Sequence, residues 1–230
     1  MRIKVSLYAR RGEVLDYNHC YELAREIRRA IKTVDPEILS DEASRLYTFS
    51  RIMVKNRSFE LCRDGMKLLT SQLYFFFSSL SKNICDSLID GFVELRRLNA
   101  GGISFEVSKI EVIKESKITG NEKLVTLSPI NFRDRSCEDA DFEEKFTEKL
   151  TKELIRRYTI IYGSNFDGDV RFKVLKCKSV AIRVGGKKYR AHLMVFNAHG
   201  SKKLIEIGYK SGFGTMTDCG FGMVKKAKRI

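Results

Sequence analysis

Residues 2–7 alternate Ile3, Val5 and Leu7 with Arg2, Lys4 and Ser6, the two-residue period of a strand buried on one face. The period then changes. In "YNHCYELAREIRRAIKTV", Tyr21, Ala24, Ile27 and Ile31 recur at helical spacing, and Asp35-Pro36 ends the helix because a residue before proline resists the helical conformation. "SRLYTFSRIMV" and "KLLTSQLYFFFSS" are rich in aromatic and branched residues and predict strands, with "NRSFELCRDG" a short strand and turn between them. In "YFFF", Tyr74 and Phe76 share one face and Phe75 and Phe77 the other, so one pair is core. "SKNICDSLIDGFVELRRL" predicts a second helix, and "GGISFEVSKIEVIKE" a strand entered through a glycine turn. This order approaches βαββαβ, the ferredoxin-like unit.

The pattern restarts after the polar joint "SKITGNE". "KLVTLSPINF" predicts a strand. "CEDADFEEKFTEKLTKELIRRYTIIYG" predicts a long helix with an acidic first turn and a basic last turn, as the helix dipole favours. Two strands follow around a Gly185-Gly186 turn, then the short helix "SKKLIEIGYK", a glycine-rich loop and a closing strand. The expected class is α+β, with two tandem ferredoxin-like (RRM-like, βαββαβ) domains at 1–118 and 119–230.

Charge narrows the partner. The chain has 230 residues with 43 Lys+Arg against 29 Asp+Glu, a formal +14, which points to a polyanion and above all to nucleic acid. Six cysteines occur without a C-x-x-C pair, so neither a structural zinc nor any other metal is expected; the thiols read as free, small core residues. The run "LYFFFSSL" is too short to cross a bilayer, and a reduced cytoplasm is the expected setting, with no membrane partner and no cofactor.

The segment "GYKSGFGTMTDCGFGMVKKAKRI" places Gly212, Gly214, Gly220 and Gly222 in two G-F-G units, followed by Lys225, Lys226, Lys228 and Arg229. It matches neither the P-loop nor the dinucleotide fingerprint. Two readings remain: a structural connection, or a loop whose amides meet a nucleic-acid backbone beside the basic tail. This segment resembles the C-terminal glycine-rich motif of the RAMP superfamily, and within it the CRISPR-associated endoribonucleases that cut repeat RNA. "MRIKVSL", "YNHCYELAREIRRAI", "RLYTFSRI" and "VTLSPI" extend the resemblance from end to end.

The resemblance implies two ferredoxin-like domains and CRISPR repeat RNA as partner. It also implies metal-independent cleavage, in which a ribose 2′-hydroxyl attacks its own 3′ phosphate to leave a 2′,3′-cyclic phosphate. That reaction needs a base, cations for the growing phosphorane charge and an acid for the leaving oxygen. Many members place a tyrosine on the first helix, a histidine after it and a lysine beyond. Here those positions fall on Arg28, near Ala43 and on Arg45, and no histidine lies between Cys20 and Ala191. His19 reads as a capping or packing residue. His192 faces along a strand, and His199 lies in a turn.

Arg28, Lys32 and Arg45 are therefore the expected catalytic residues, acting by position and charge. The expected RNA contacts are Arg25, Arg29, Arg51, Lys187, Lys188, Arg190, the four loop glycines, Lys225 and Lys226. Other CRISPR-complex subunits are candidate further partners, and a monomer or homodimer is the expected state; the alternative function is a non-catalytic RNA-binding subunit of a CRISPR interference complex.

Overall fold

A computed structural model describes residues 1–132 and 136–227; Lys228 and Arg229 lie outside the described residues. The first half runs β1 (Arg2–Tyr8), β2 (Val14–Asp16), α1 (Cys20–Val34), β3 (Tyr47–Phe49), β4 (Met53–Val54), β5 (Phe59–Leu61), β6 (Gly65–Leu68), β7 (Gln72–Ser79), α2 (Lys82–Leu95), β8 (Arg97–Ala100) and β9 (Ile103–Ile113). The second runs β10 (Asn121–Thr126), α3 (Phe142–Tyr162), β11 (Val170–Val184), β12 (Lys187–Gly200), α4 (Lys202–Ser211) and β13 (Val224–Lys226).

Each half builds one antiparallel sheet with the ferredoxin order. The first is β3-β7-β1-β9-β8, with β4 also on β7, and the second is β11-β12-β10-β13. In both, the unit's first strand lies between its third and fourth, which places the two crossover helices on one face. The residues between Ile113 and Asn121 join the sheets. β2, β6 and β5 form a small separate sheet that the strand pattern did not anticipate.

Two main cores follow from the periodicity. Ile3, Val5 and Leu7 from β1 pack with Phe75 and Phe77 from β7 against Leu23, Ala24, Ile27 and Ile31 of α1. The "YFFF" alternation thus resolves with Phe75 and Phe77 inside. Phe146, Leu150 and Leu154 of α3 face Phe172, Phe196 and Phe213 in the second core. The last turn of α3 carries no basic residue; its arginines stand earlier, at Arg156 and Arg157.

The other face of the first sheet is not simply solvent. Arg2, on the polar side of β1, is buried: its guanidinium donates to the Tyr209 hydroxyl (3.1 Å) and carbonyl (3.0 Å), 4.2 Å from the ring centroid. Helix α4 carries Tyr209 across the seam, so one strand uses both faces for packing.

The cysteines depart from the expectation of free core thiols. Cys137 and Cys177 are joined by a disulfide with a Cα–Cα distance of 6.0 Å, and Cys62 is exposed, while Cys20 and Cys85 are buried. Their separation of 40 residues hides the pairing from a spacing rule.

Helices α1 and α2 meet at Gly91, where an added Cβ would stand 1.9 Å from the Ala30 carbonyl oxygen. Backbone cannot yield cheaply there. Gly91→Ala is expected to destabilise the chain by about 1–3 kcal/mol, measured by denaturant unfolding; an unchanged midpoint would show the helices less closely packed.

Candidate nucleic-acid interface at the seam

Residues 211–223 run from the end of α4 back toward β13 along the seam between the sheets. Four glycines shape the path, all with positive φ. At Gly222 (φ 78°) a Cβ would lie 2.1 Å from the Phe213 carbonyl oxygen, and at Gly220 (φ 90°) 2.8 Å from the Phe49 ring. Gly212 packs on Thr48 and Gly214 on the Asn131 carbonyl. All four are buried.

Of the two readings of the loop, internal packing favours the structural one, because several main-chain amides are bonded within the protein: Phe213 N–H donates to the Gly222 carbonyl (2.9 Å), Thr215 N–H to Asn131 (2.7 Å), Gly220 N–H to Thr217 (3.1 Å) and Gly222 N–H to Pro129 (2.8 Å). "TLSPI" and the glycine segment are thus one structure. Leu127 N–H bonds the Met223 carbonyl at 2.7 Å, and Met223 N–H the Ser128 hydroxyl at 3.0 Å.

Arg157 holds the loop from below. Its side chain is 2 % exposed and donates to the Ser211 carbonyl (3.1 Å), the Ser211 hydroxyl (3.0 Å), the Gly212 carbonyl (2.6 Å) and the Gly214 carbonyl. Glu153, one turn earlier on α3, accepts from Arg157 Nε at 3.0 Å. Burial works against the charged Glu153 carboxylate, yet the hydrogen bond from Arg156 and the charge of Arg157 hold its pKa below the usual value.

Above this layer a cleft of about 340 Å³ opens, lined in part by Glu42, Arg45, Arg156, Arg157, Thr217 and Asp218. Arg156 pairs with Glu42 and with Glu153 (2.7 Å). Arg28 reaches from α1 to the same loop, donating to Asp218 Oδ2 (3.0 Å), the Asp218 carbonyl (3.1 Å) and Cys219 Sγ (3.3 Å). Burial pushes the Cys219 thiol up. Beneath, Tyr47 is buried, and its hydroxyl has no hydrogen-bond partner among the described residues.

The expected catalytic residues divide accordingly. Arg45 is exposed at the cleft rim, with Nε donating to the Asp41 carbonyl at 3.2 Å. Lys32 is exposed in the last turn of α1, and Arg28 is half-buried and locked to Asp218. Sequence reasoning missed Arg156 and Arg157, whose helix reads as an ordinary charged surface.

The expected RNA contacts divide too. Arg25 is exposed, and Arg29 is exposed but paired with Glu26 at 2.6 Å. Arg51 turns inward, donating to the Tyr17 carbonyl at 2.8 Å. Lys225 is exposed; Lys226 instead pairs with the buried Glu122 at 2.7 Å and bonds the Lys117 carbonyl.

Lys187, Lys188 and Arg190 are exposed at the β11–β12 tip, where Gly185 (φ 54°) and Gly186 (φ 82°) supply the two left-handed residues of a tight hairpin turn. The tip is anchored on the first half. Arg183 N–H donates to Asn18 Oδ1 at 3.1 Å, and Ile182, Val184 and Phe221 cluster with Tyr21. The seam and the basic hairpin consequently hold a fixed relation.

None of the three histidines lines the cleft. His19 is buried with Nδ1–H donating to the Asp16 carbonyl (2.6 Å) and Nε2 accepting from Ile52 N–H (3.0 Å). His192 is buried within β12, and His199 is exposed near its end.

A family model described as CRISPR associated protein Cas6, C-terminal, matches residues 113–226, and one for the Cas6 N-terminal region matches 14–111. A Cas6 endoribonuclease-like protein of Pyrococcus furiosus is 31 % identical, over 98 % of this chain and 98 % of its own. The chain belongs to the Cas6 family. A CRISPR-associated endoribonuclease Cas6 of Methanocaldococcus jannaschii is 29 % identical over 97 % of this chain and 92 % of its own. Among solved structures, a Cas6-related protein from Pyrococcus furiosus superposes with TM-score 0.89 at 27 % identity, covering 100 % of this chain and 99 % of its own. A RAMP protein described as binding different RNA substrates gives TM-score 0.89 at 30 % identity, covering 99 % and 100 %. The α+β Cas6 fold is thereby shown for both halves. Among the described residues, no helix is long and apolar enough to cross a membrane.

His19 carries a pH prediction. Burial, then the charge of Arg51, lowers its pKa to about 4. Between about pH 4 and 6.5 the unfolded chain takes up a proton that the folded chain refuses, so stability falls as pH drops through that window and is complete above it. The loss expected from His19 is on the order of 3 kcal/mol. A proton-resolved titration of its ring in the native chain should show it neutral at pH 6; a midpoint near 6.5 would overturn the assignment.

Proposed function

We propose that this Cas6-family protein binds CRISPR repeat RNA across the seam and the basic β11–β12 hairpin and cuts it slowly, by attack of a ribose 2′-hydroxyl on the adjacent phosphate without a metal ion. The observation that carries the reading is the cleft itself: Arg45 and Arg156 line it beside Thr217, and Arg28 is fixed through Asp218. Two relatives bear the name CRISPR-associated endoribonuclease Cas6, which supports the reaction class.

In this reading the cations stabilise the phosphorane, and the fixed seam positions the scissile phosphate against them. Arginine stays charged and makes a poor base. Proton transfer by a positioned histidine contributes about 10²–10⁴-fold in such reactions, and the cleft forgoes that factor. Lys32 and Arg45 supply charge at the exposed side, and Lys187, Lys188 and Arg190 hold the RNA backbone away from the cut. Oligomeric state and further CRISPR subunits do not enter the reading.

A second reading is a non-catalytic holder of repeat-derived RNA. It is favoured by one observation: Glu42, Glu153 and Asp218, the carboxylates of the cleft, are all engaged by arginines. None stands apart as a base. A labelled repeat RNA in EDTA, beside the same RNA with a 2′-deoxy residue at the cut, separates the readings. Slow cleavage of the ribose substrate alone, ending in a cyclic phosphate and abolished by Arg45→Ala with Arg156→Ala, is the expected result. Binding without product in a long incubation would establish the holder.

The hairpin generates a separate expectation. Each phosphate contact on single-stranded RNA contributes about 0.7 to the slope of log affinity against log salt. Replacing Lys187, Lys188 and Arg190 together by alanine should lower that slope by about 2. An unchanged slope would remove the hairpin from the interface.

A further inference from the structure

Cys137, just before α3, and Cys177, in the middle of β11, meet beside His192 of β12. One ligand atom from each lies within 4.8 Å of the others. Nδ1 of His192 is 3.2 Å from Cys137 Sγ and 3.8 Å from Cys177 Sγ. A disulfide alone has no use for an imidazole nitrogen placed beside both of its sulfurs. We propose that Cys137, Cys177 and His192 form a binding site for a thiophilic divalent cation of the zinc class, occupied when the two cysteines are reduced.

Three observations support the assignment. The donor set, two thiolates and one imidazole, is a soft combination that suits Zn²⁺ and disfavours Mg²⁺ or Ca²⁺. The placement of the donors is near that required: tetrahedral Zn²⁺ with bonds of about 2.3 Å to sulfur and 2.0–2.1 Å to nitrogen sets S···N at about 3.6 Å, between the two distances of the disulfide form, and S···S at about 3.8 Å, which the sulfurs reach only after their bond is reduced.

The imidazole is also held in advance. His192 exchanges two main-chain hydrogen bonds of 2.9 Å with Ile130. Its ring packs 4.9 Å from Phe132 and 5.1 Å from Phe142. The Ser179 hydroxyl stands 3.3 Å from both Cys137 Sγ and His192 Nδ1, where it can donate to a thiolate and steady the ligand set. Reduction of the S–S bond by an external dithiol, which is oxidised to its own disulfide as it delivers two electrons and two protons, leaves two thiols. Each can rotate about its own side chain while the backbone keeps its 6.0 Å Cα separation.

The two thiols release two protons when the cation binds, and the disulfide-bonded form offers no thiolate, so the two states exclude one another. In either state the segment entering α3 is tied to the long hairpin. The cluster lies apart from the residues lining the seam cleft, and its assignment stands whether or not RNA is cut.

The test uses the full chain, purified with a thiol reductant and without chelator, first for metal content and then with Co²⁺ as the spectroscopic probe after metal removal. The expected result is about one zinc per chain, and a cobalt spectrum with thiolate charge-transfer and tetrahedral ligand-field bands. Cys137→Ser and Cys177→Ser should each abolish that spectrum, with circular dichroism unchanged. His192→Ala should weaken cobalt binding about tenfold or more; should its core position prevent folding, the two cysteine variants still decide. Trace zinc with no cobalt bands in the fully reduced chain, or bands that survive in the cysteine variants, would overturn the proposal.

Discussion

The guanidinium of Arg157 is buried at the seam and bonded to three main-chain carbonyls of one short segment, at Ser211, Gly212 and Gly214, with Glu153 as its counter-ion. Taking a cation out of water costs several kcal/mol, and only a full set of charge-assisted bonds offsets it. The loop therefore has to present its carbonyls to one point. That requirement sets its path, and the path requires left-handed backbone at Gly212, Gly214, Gly220 and Gly222. With the loop in place, Phe221 accepts a bond from Thr48, Gly220 lies on Phe49, and Asp218 reaches Arg28, each of them joining the second half to the first.

From this arrangement follows the character of the cleft. Arg28 and Arg156 are held by carboxylates, Arg45 stands exposed at the rim, and the amides of Phe213, Thr215, Gly220 and Gly222 are bonded within the protein. In the proposed reading, fixed charges of this kind stabilise a phosphorane without any side chain moving a proton. The hairpin residues Lys187, Lys188 and Arg190 are exposed by contrast, which suits the grip on a flexible backbone proposed for them.

Much of the fold was legible because its signals are local. Ile3, Val5 and Leu7, the helical spacing of Ala24, Ile27 and Ile31, and the double glycine of the hairpin each declare their element within a few residues. Two βαββαβ units follow from their order. What remained hidden depends on contacts distant in sequence. Arg2 looks like the wet side of a strand until Tyr209 covers it. The glycines look available to a ligand until Thr48, Phe49, Asn131 and Phe213 are seen to fill the space beside them. Cys137, Cys177 and His192 fit no ligand spacing because the β11–β12 pairing brings Cys177 beside His192 and the distant segment before α3 adds Cys137. Arg157 follows Glu153 by one helical turn, the pattern of a surface ion pair, and nothing local distinguishes it from Lys152 after Glu148, which is exposed. The family resemblance drew attention to this loop, whereas the reason for its glycines lies in internal packing.

The central claim is that the buried Arg157 organises the glycine loop. Hydrogen exchange at the amides of Phe213, Thr215, Gly220 and Gly222, compared between the native chain and Arg157→Met, tests it most directly. Methionine fills much of the same space without charge. These four amides are expected to lose protection together while those of β1 and β7 keep theirs, as a loop released from a folded body would. Protection unchanged at all four would contradict it, showing that the glycine path stands without its buried cation.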